Sequence, residues 1–375
     1  TMENNSTTDV LQYQLALTLL PGVGDITAKN LISYCGGAEA IFKEKQQALL
    51  KIPKIGQIVT DKIKNGKVQS LKRAEEEIRF IEKNKIKALF FTSDLYPKRL
   101  KSCNDSPIMI FVKGNANLNP EKCIAFVGTR NATDYGKMIT EKIISDLAAI
   151  DGLMTISGLA FGIDITAHKM SIKNNIPTIG IVAHGLDMLY PAEHRNTAEK
   201  MLEAGAVISE FMSKTNADKE NFPKRNRIIA GMADAVVVVE SAIKGGSLIT
   251  ADIANSYNRD VFAVPGQVDR EYSKGCNALI KDNKANLIQS AADIEFFMGW
   301  DKKDQKSVPK QARLFEDLDA EEKQLVEFLK ENAKSDIDTI CFRSGVKLNR
   351  IPALLLNLEL KGVIRNYPGK VYDLL

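Results

Sequence analysis

Ile124-Ala125-Phe126-Val127-Gly128-Thr129-Arg130 is a short apolar run that ends in a glycine, a hydroxyl and a guanidinium. Runs of the same kind recur at Leu153–Ile156, Thr178–Val182, Ala206–Ile208, Ala235–Val239 and Val261–Val264, with helical patterns between most of them. Short continuous apolar strands that alternate with helices predict a parallel sheet covered on both faces. Residues 120–298 are therefore read as an α/β domain with an extended, Rossmann-like parallel sheet. Such sheets bind ligands beyond the carboxyl ends of their strands, so the residues after each run are where chemistry is sought.

Three of those junctions carry anion-binding features. In Gly128-Thr129-Arg130, glycine lets a ligand approach the backbone and arginine grips phosphate through a bidentate fork. The second junction, Ser157-Gly158-Leu159-Ala160-Phe161-Gly162-Ile163-Asp164, places two glycines and a serine at a strand-to-helix turn. The third runs Glu240-Ser241-Ala242-Ile243-Lys244-Gly245-Gly246-Ser247-Leu248-Ile249-Thr250. It brings a cation, two glycines and a hydroxyl to the positive end of the next helix. Each loop alone is also an ordinary strand-to-helix turn; three on one sheet edge describe a row of phosphate sites, which suits a polymer better than a mononucleotide. Phe222-Pro223-Lys224-Arg225-Asn226-Arg227 adds three cations, an amide and an aromatic ring. Cations neutralise backbone phosphates and a ring can stack a base; a basic helix start with Phe222 in the core is the plainer reading.

Outward from this domain, Leu20-Pro21-Gly22-Val23-Gly24 and Ile52-Pro53-Lys54-Ile55-Gly56 echo each other, and a helical pattern follows each. They predict a tandem helix-hairpin-helix (SAM-like) helical domain over 1–66, whose turns expose amides at helix N-termini. Residues 67–119 read as a connecting segment with strands at Ala88–Phe91 and Ile108–Val112. A polar linker over 299–316 leads to 317–375. There a capping signal at Leu318-Asp319-Ala320-Glu321-Glu322, three helices and a hairpin across Pro368-Gly369 predict a winged helix.

The 375 residues are 44% hydrophobic and 26% charged, a globular composition. No apolar run approaches a membrane span and no leader peptide opens the chain, which predicts a cytoplasmic protein without membrane attachment. The five scattered cysteines and three histidines lack zinc-ligand spacing, so neither a metal nor a cofactor is expected. The net charge of +4 is uneven: residues 43–101 hold 16 Lys or Arg against 7 Asp or Glu. That asymmetry suits an anionic partner, and equally a solvated lysine-rich surface.

These segments resemble the DNA processing protein A family (DprA, also called Smf). The residues that carry the resemblance are Val127-Gly128-Thr129-Arg130 with Tyr135-Gly136, Ser157 to Asp164 with His168, Gly185-Leu186-Asp187 with Tyr190-Pro191, and Ser209-Glu210. Phe222 to Gly231, Gly245 to Ala251, Val264-Pro265-Gly266, Gly275 and Asn277 complete the set. The resemblance implies a Rossmann-type homodimer that binds single-stranded DNA, protects it and helps load RecA recombinase during natural transformation, without catalysis. The DNA-binding residues expected are Gly128, Thr129, Arg130, Ser157, Gly158, Phe222, Lys224, Arg225, Asn226, Arg227, Lys244, Gly245, Gly246, Ser247 and Thr250. Two positions depart from the family pattern: Gly245 stands where a serine is usual, and Ala183-His184-Gly185 where small residues are common.

The competing reading is a nucleoside-monophosphate phosphoribohydrolase, whose Gly-Gly-x-Gly-Thr loop is similar to Gly245-Gly246-Ser247. Here Leu248 replaces the next glycine, and no glutamate follows at the catalytic position. Asp164 and His168 share a helix face, as an acid/base pair or as a hydrogen bond that fixes the helix start. Glu210, Glu240 and Asp187 lie near strand ends, but the surrounding loops are basic and no tight acidic cluster forms.

Overall fold

The computed structural model describes residues 2–300, 318–332, 334–361, 363–367 and 371–374. The expected linker and the hairpin turn at Pro368-Gly369 fall almost wholly outside these residues. Two compact units result, divided near residue 301.

In the first unit nine strands form one sheet: β1 (Lys87–Phe90), β2 (Met109–Gly114), β3 (Lys122–Val127), β4 (Leu153–Ser157), β5 (Thr178–Ile181), β6 (Ala206–Ser209), β7 (Ala235–Val238), β8 (Asp260–Ala263) and β9 (Asn286–Leu287). Their order is β1-β2-β6-β5-β4-β3-β7-β8-β9. From β6 to β9 every pairing is parallel. The strands β4, β5, β6 and β7 are buried at every residue, which is why they read as mostly apolar runs without charges. β1 and β2 come from the segment expected as a connection, and they extend the same sheet antiparallel, β2 against β6. Strand order reverses around β3, which is flanked by β4 on one side and β7 on the other. That is the topological switch point at which open sheets hold ligands.

The echoed turns near the N-terminus share a backbone. Gly22 and Lys54, at equivalent places, both have left-handed φ, 75° and 66°. Gly24 and Gly56 then cap the helices Asp25–Cys35 and Gln57–Lys83 in extended conformation. Glycine bears the left-handed turn freely, and Lys54 bears it at a small cost. The helices pack on the sheet through one apolar cluster that joins Leu15, Leu31, Ile41 and Ile78 to Ile108, Met109 and Phe111.

The second unit contains helices Ala320–Glu331, Ile337–Arg343 and Ile351–Leu360, with strands β10 (Ser335–Asp336), β11 (Ile364–Tyr367) and β12 (Val371–Leu374) in the order β10-β12-β11. The first helix opens with a reciprocal cap: Asp319 Oδ1 accepts from Glu322 N at 2.8 Å, and Glu322 Oε2 accepts from Asp319 N at 3.0 Å. This is the expected winged helix, with its core around Leu325, Ile340, Leu354 and Leu358. No helix among the described residues is long and apolar enough to cross a membrane.

Candidate functional site

The loops after β3, β4 and β7 meet above the switch point and leave a cleft of about 290 Å³. Their positions are locked by backbone contacts that only glycine permits. Thr129 N donates to Glu240 O at 2.7 Å, and Ile163 N donates to Thr129 O at 3.3 Å. A Cβ on Gly162, whose φ is +75°, would run into the Thr129 and Arg130 carbonyls. Glu240 is buried and braces the first loop from below: its carboxylate accepts from Thr133 N at 2.9 Å and Thr133 Oγ1 at 2.5 Å. It occupies the space a side chain on Gly136 would need. Glu240 is therefore spent on structure.

Two arginines face this cleft, and Phe222 stands between them. The exposed Arg130 lies over the Phe222 ring, with Cζ 4.9 Å from its centroid. The guanidinium of Arg225 lies 5.9 Å from the same ring. Arg225 is 4% exposed and anchored by one hydrogen bond, Nη1 to Ile181 O at 2.9 Å; its Nε has no protein partner. Burial lowers the Arg225 pKa to about 10, Arg130 pushes the same way and Asp164 opposes. It stays charged at neutral pH, short of hydrogen-bond partners and beside an open cleft, and an anionic oxygen is what would complete it. Gly158 lets Arg225 in, because a Cβ there would collide with its guanidinium and with Asp164 Oδ2.

Asp164 and His168 are not bonded to each other as an acid/base pair or a helix-start clamp. Asp164 Oδ2 accepts from Gly158 N at 3.1 Å and Ala160 N at 3.4 Å, tying down the second loop. Burial raises its pKa, while Arg225 and the loop amides pull it back. His168 is fully buried, bonds Thr178 Oγ1 through Nδ1 at 2.8 Å, and is held neutral by burial with a pKa of about 3. His184 is buried too. Its Nδ1 bonds Gly185 O at 2.9 Å, and its Nε2 accepts from Tyr190 N at 3.1 Å.

Of the residues expected from the sequence, Gly128, Thr129, Arg130, Phe222, Arg225, Asn226, Gly245, Gly246, Ser247 and Thr250 line the cleft. Asn226 Nδ2 reaches Gly246 O at 3.5 Å, which joins the basic helix to the third loop. Ser247 donates to Ser241 Oγ at 2.8 Å beneath the start of helix Gly246–Ser256. Gly158 lines an adjoining shallow cleft with Phe161, Tyr190 and Phe222. The other four lie elsewhere. Ser157 is buried, its hydroxyl given to Phe126 O at 2.6 Å. Lys224 and Lys244 are exposed and stand outside the lining.

Arg227 points away altogether. Its Nη2 pairs with Asp25 Oδ2 at 3.0 Å and with Glu210, and its Nη1 donates to Asp105 O. Burial works against its charge, yet Glu210, Asp25 and Asp105 together hold its pKa above the usual value. Arg227 fastens the N-terminal helices to the sheet. Sequence reasoning misses the exposed rings of Phe161 and Tyr190 as site residues. Phe161, four residues past the end of β4, carries a signal as an aromatic near a strand end; Tyr190, nine residues past β5, carries none of that kind.

Among known proteins, the family described as DNA recombination-mediator protein A matches residues 87–298, and the DprA winged helix domain matches residues 309–370. "Protein Smf" of Synechocystis sp. is 31% identical over 396 residues, which covers 96% of this chain and 98% of that protein. "DNA processing protein DprA" of Bacillus subtilis is 40% identical over 210 residues, covering 56% of this chain and 70% of its own. The X-ray structure of DNA processing protein A from Streptococcus pneumoniae is similar at a TM-score of 0.64 and 29% identity, covering 76% of this chain and 96% of that one. A Helicobacter pylori DNA processing protein A, described for its single-stranded DNA binding mode, is similar at a TM-score of 0.52 and 26% identity over 57% of this chain and 95% of its own.

Proposed function

This chain belongs to the DNA recombination-mediator protein A family, and from that premise we propose that it binds single-stranded DNA with the cleft between the loops after β3, β4 and β7. The observation that carries the reading is the pair Arg130 and Arg225 on one cleft. The buried cation lacks a full set of partners, the exposed one is stacked on Phe222, and the nearby carboxylate, on Asp164, is already spent on backbone amides. A cleft built this way takes phosphate oxygens, and the exposed rings beside it take bases. The H. pylori relative's single-strand binding supports the same assignment.

The protein acts by holding the strand, because the groups that would do acid/base work are tied into the scaffold. The family's description as a recombination mediator supports the further reading. A cytoplasmic homodimer shields incoming single strands in natural transformation and helps load RecA recombinase onto them.

The test is Arg130→Glu. Reversing a phosphate-gripping charge costs about 2–3 kcal/mol, roughly a thirty- to 150-fold loss of affinity for oligothymidylate in fluorescence anisotropy. The melting temperature stays at the native value. The dependence of log affinity on log salt becomes shallower by roughly 0.7 for each phosphate that the variant no longer neutralises. Native affinity in this variant would remove the cleft from the DNA path.

A further inference from the structure

A second, larger cavity of about 780 Å³ opens on the other side of the Glu240 brace. Its walls are the start of helix Asp134–Leu147, the end of β7 and the segment after β8. It therefore follows the first cleft along the sheet rim, in the strand order β3-β7-β8. Resting on the single-strand reading above, we propose that this cavity is a nucleobase site that receives the strand as it leaves the arginine cleft.

The lining decides against a phosphate. Its ionised groups are Arg270 against Glu240 and Glu271, so the cavity offers an anion no net attraction. Its remaining chemistry suits a flat, uncharged ring with a donor and acceptor edge. Tyr135 and Tyr272 line it, and so do Gln289 and Gln267, whose Oε1 accepts from Arg270 Nε at 3.0 Å. Tyr135 is 43% exposed although it stands at a helix start beside a large open space. Aromatic faces stack any base, and amides pair with base edges.

The site is also built to hold its shape, and a preformed cavity lowers the cost of binding. Asn277 clamps Gly266 from both sides: its Oδ1 accepts from Gly266 N at 3.1 Å and its Nδ2 donates to Gly266 O at 2.9 Å. Tyr135 donates its hydroxyl to Pro265 O at 3.1 Å. Asn131 Nδ2 donates to the Tyr272 hydroxyl at 3.2 Å, so the loop that carries Arg130 and the wall of the second cavity are joined directly. The Pro265-Gly266 and Asn277 positions, which the phosphate cleft leaves without a task, frame this second site.

The experiment compares oligothymidylates of about four and about twelve nucleotides, a short and a longer length within the usual range of single-strand sites. The native protein and three variants, Tyr272→Ala, Tyr272→Phe and Arg130→Glu, are titrated with both. Loss of one stacked base predicts that Tyr272→Ala binds the long strand roughly tenfold more weakly and the short one at native strength. Tyr272→Phe, which keeps the ring and gives up only the Asn131 bond, loses no more than about threefold on the long strand, less than Tyr272→Ala. An oligonucleotide with 5-iodouracil at successive positions should photocross-link to Tyr135 or Tyr272 from one end only. Equal weakening on both lengths, no weakening, a Tyr272→Phe loss that equals that of Tyr272→Ala, or cross-links only outside this cavity each overturn the proposal. If Tyr272→Ala is silent while Arg130→Glu still weakens binding, only the base site falls; if Arg130→Glu is silent, the cleft assignment falls with it.

Discussion

Arg225 and Arg227 leave the helix Asn221–Met232 two positions apart, about 200° around its axis. One reaches the cleft and the other the joint between the sheet and the N-terminal helices, and the two environments are opposites. Arg225 keeps one hydrogen bond to a carbonyl and an unpartnered Nε, with the nearby Asp164 carboxylate already committed. Arg227 is surrounded by Asp25, Glu210 and the Asp105 carbonyl. A binding site needs a cation left incomplete by the protein; a structural joint needs one fully satisfied. The same residue type, on one helix, serves each purpose according to what the fold places around it.

The largest effect expected is at the joint. Arg227→Ala leaves Glu210 buried without its cation, with Oε1 already lacking a partner, and costs about 3 kcal/mol in denaturant unfolding. Single-strand affinity per folded molecule stays within about threefold of native, since the site of loss is away from the cleft. Reduced affinity at unchanged stability would place Arg227 on the DNA and end the contrast. Gly158→Ala loses both stability and affinity. Its methyl displaces the Arg225 guanidinium and the Asp164 carboxylate. The cost is about 2 kcal/mol of overpacking, and anisotropy should show a loss of affinity comparable to that of Arg130→Glu. Full affinity in this variant would mean that the position of Arg225 does not matter to binding.

Acid separates the regions further, with the smallest effect per step. His168 beneath the cleft has a folded pKa of about 3 against 6.5 for the free side chain, so the unfolded chain binds its proton first. Its contribution is intact above about pH 6.5 and falls by about 1.4 kcal/mol per unit as pH drops toward 3. His168→Gln should flatten that part of a stability-against-pH curve. An unchanged slope would show that His168 is not what the cleft loses in acid.

The alternation of apolar runs makes the parallel core legible, because strands buried on both faces leave no charged residue to break the run. The echoed turns are legible for a similarly local reason, since Pro21-Gly22 and Pro53-Lys54 dictate the same backbone twice. The antiparallel strands β1 and β2 can be read as strands but not as part of the sheet; which edge a strand joins depends on contacts distant in sequence. In the cleft, glycines and hydroxyls after strand ends are legible as a group. Arg227 falls in with Arg225 on a sequence reading because adjacency along the chain hides the turn of the helix. Asp164 and His168, four apart on one face, pair on spacing, but Thr178 on β5 and the amides of the preceding loop claim them separately. Tyr272 cannot be tied to Asn131, 141 positions away, by any local rule.

The family match begins at residue 87, yet the apolar cluster under the helices runs on through Ile108, Met109, Phe111 and Met212. Where the family match begins is thus not where the protein could be cut. A chain shortened to the matched segment would carry an oily sheet face into water, and Glu210 would lose Asp25 as a fellow anchor of Arg227. Anyone dissecting this molecule for crystals or for minimal activity should keep the first 86 residues attached, as the lid of a box whose walls are the sheet.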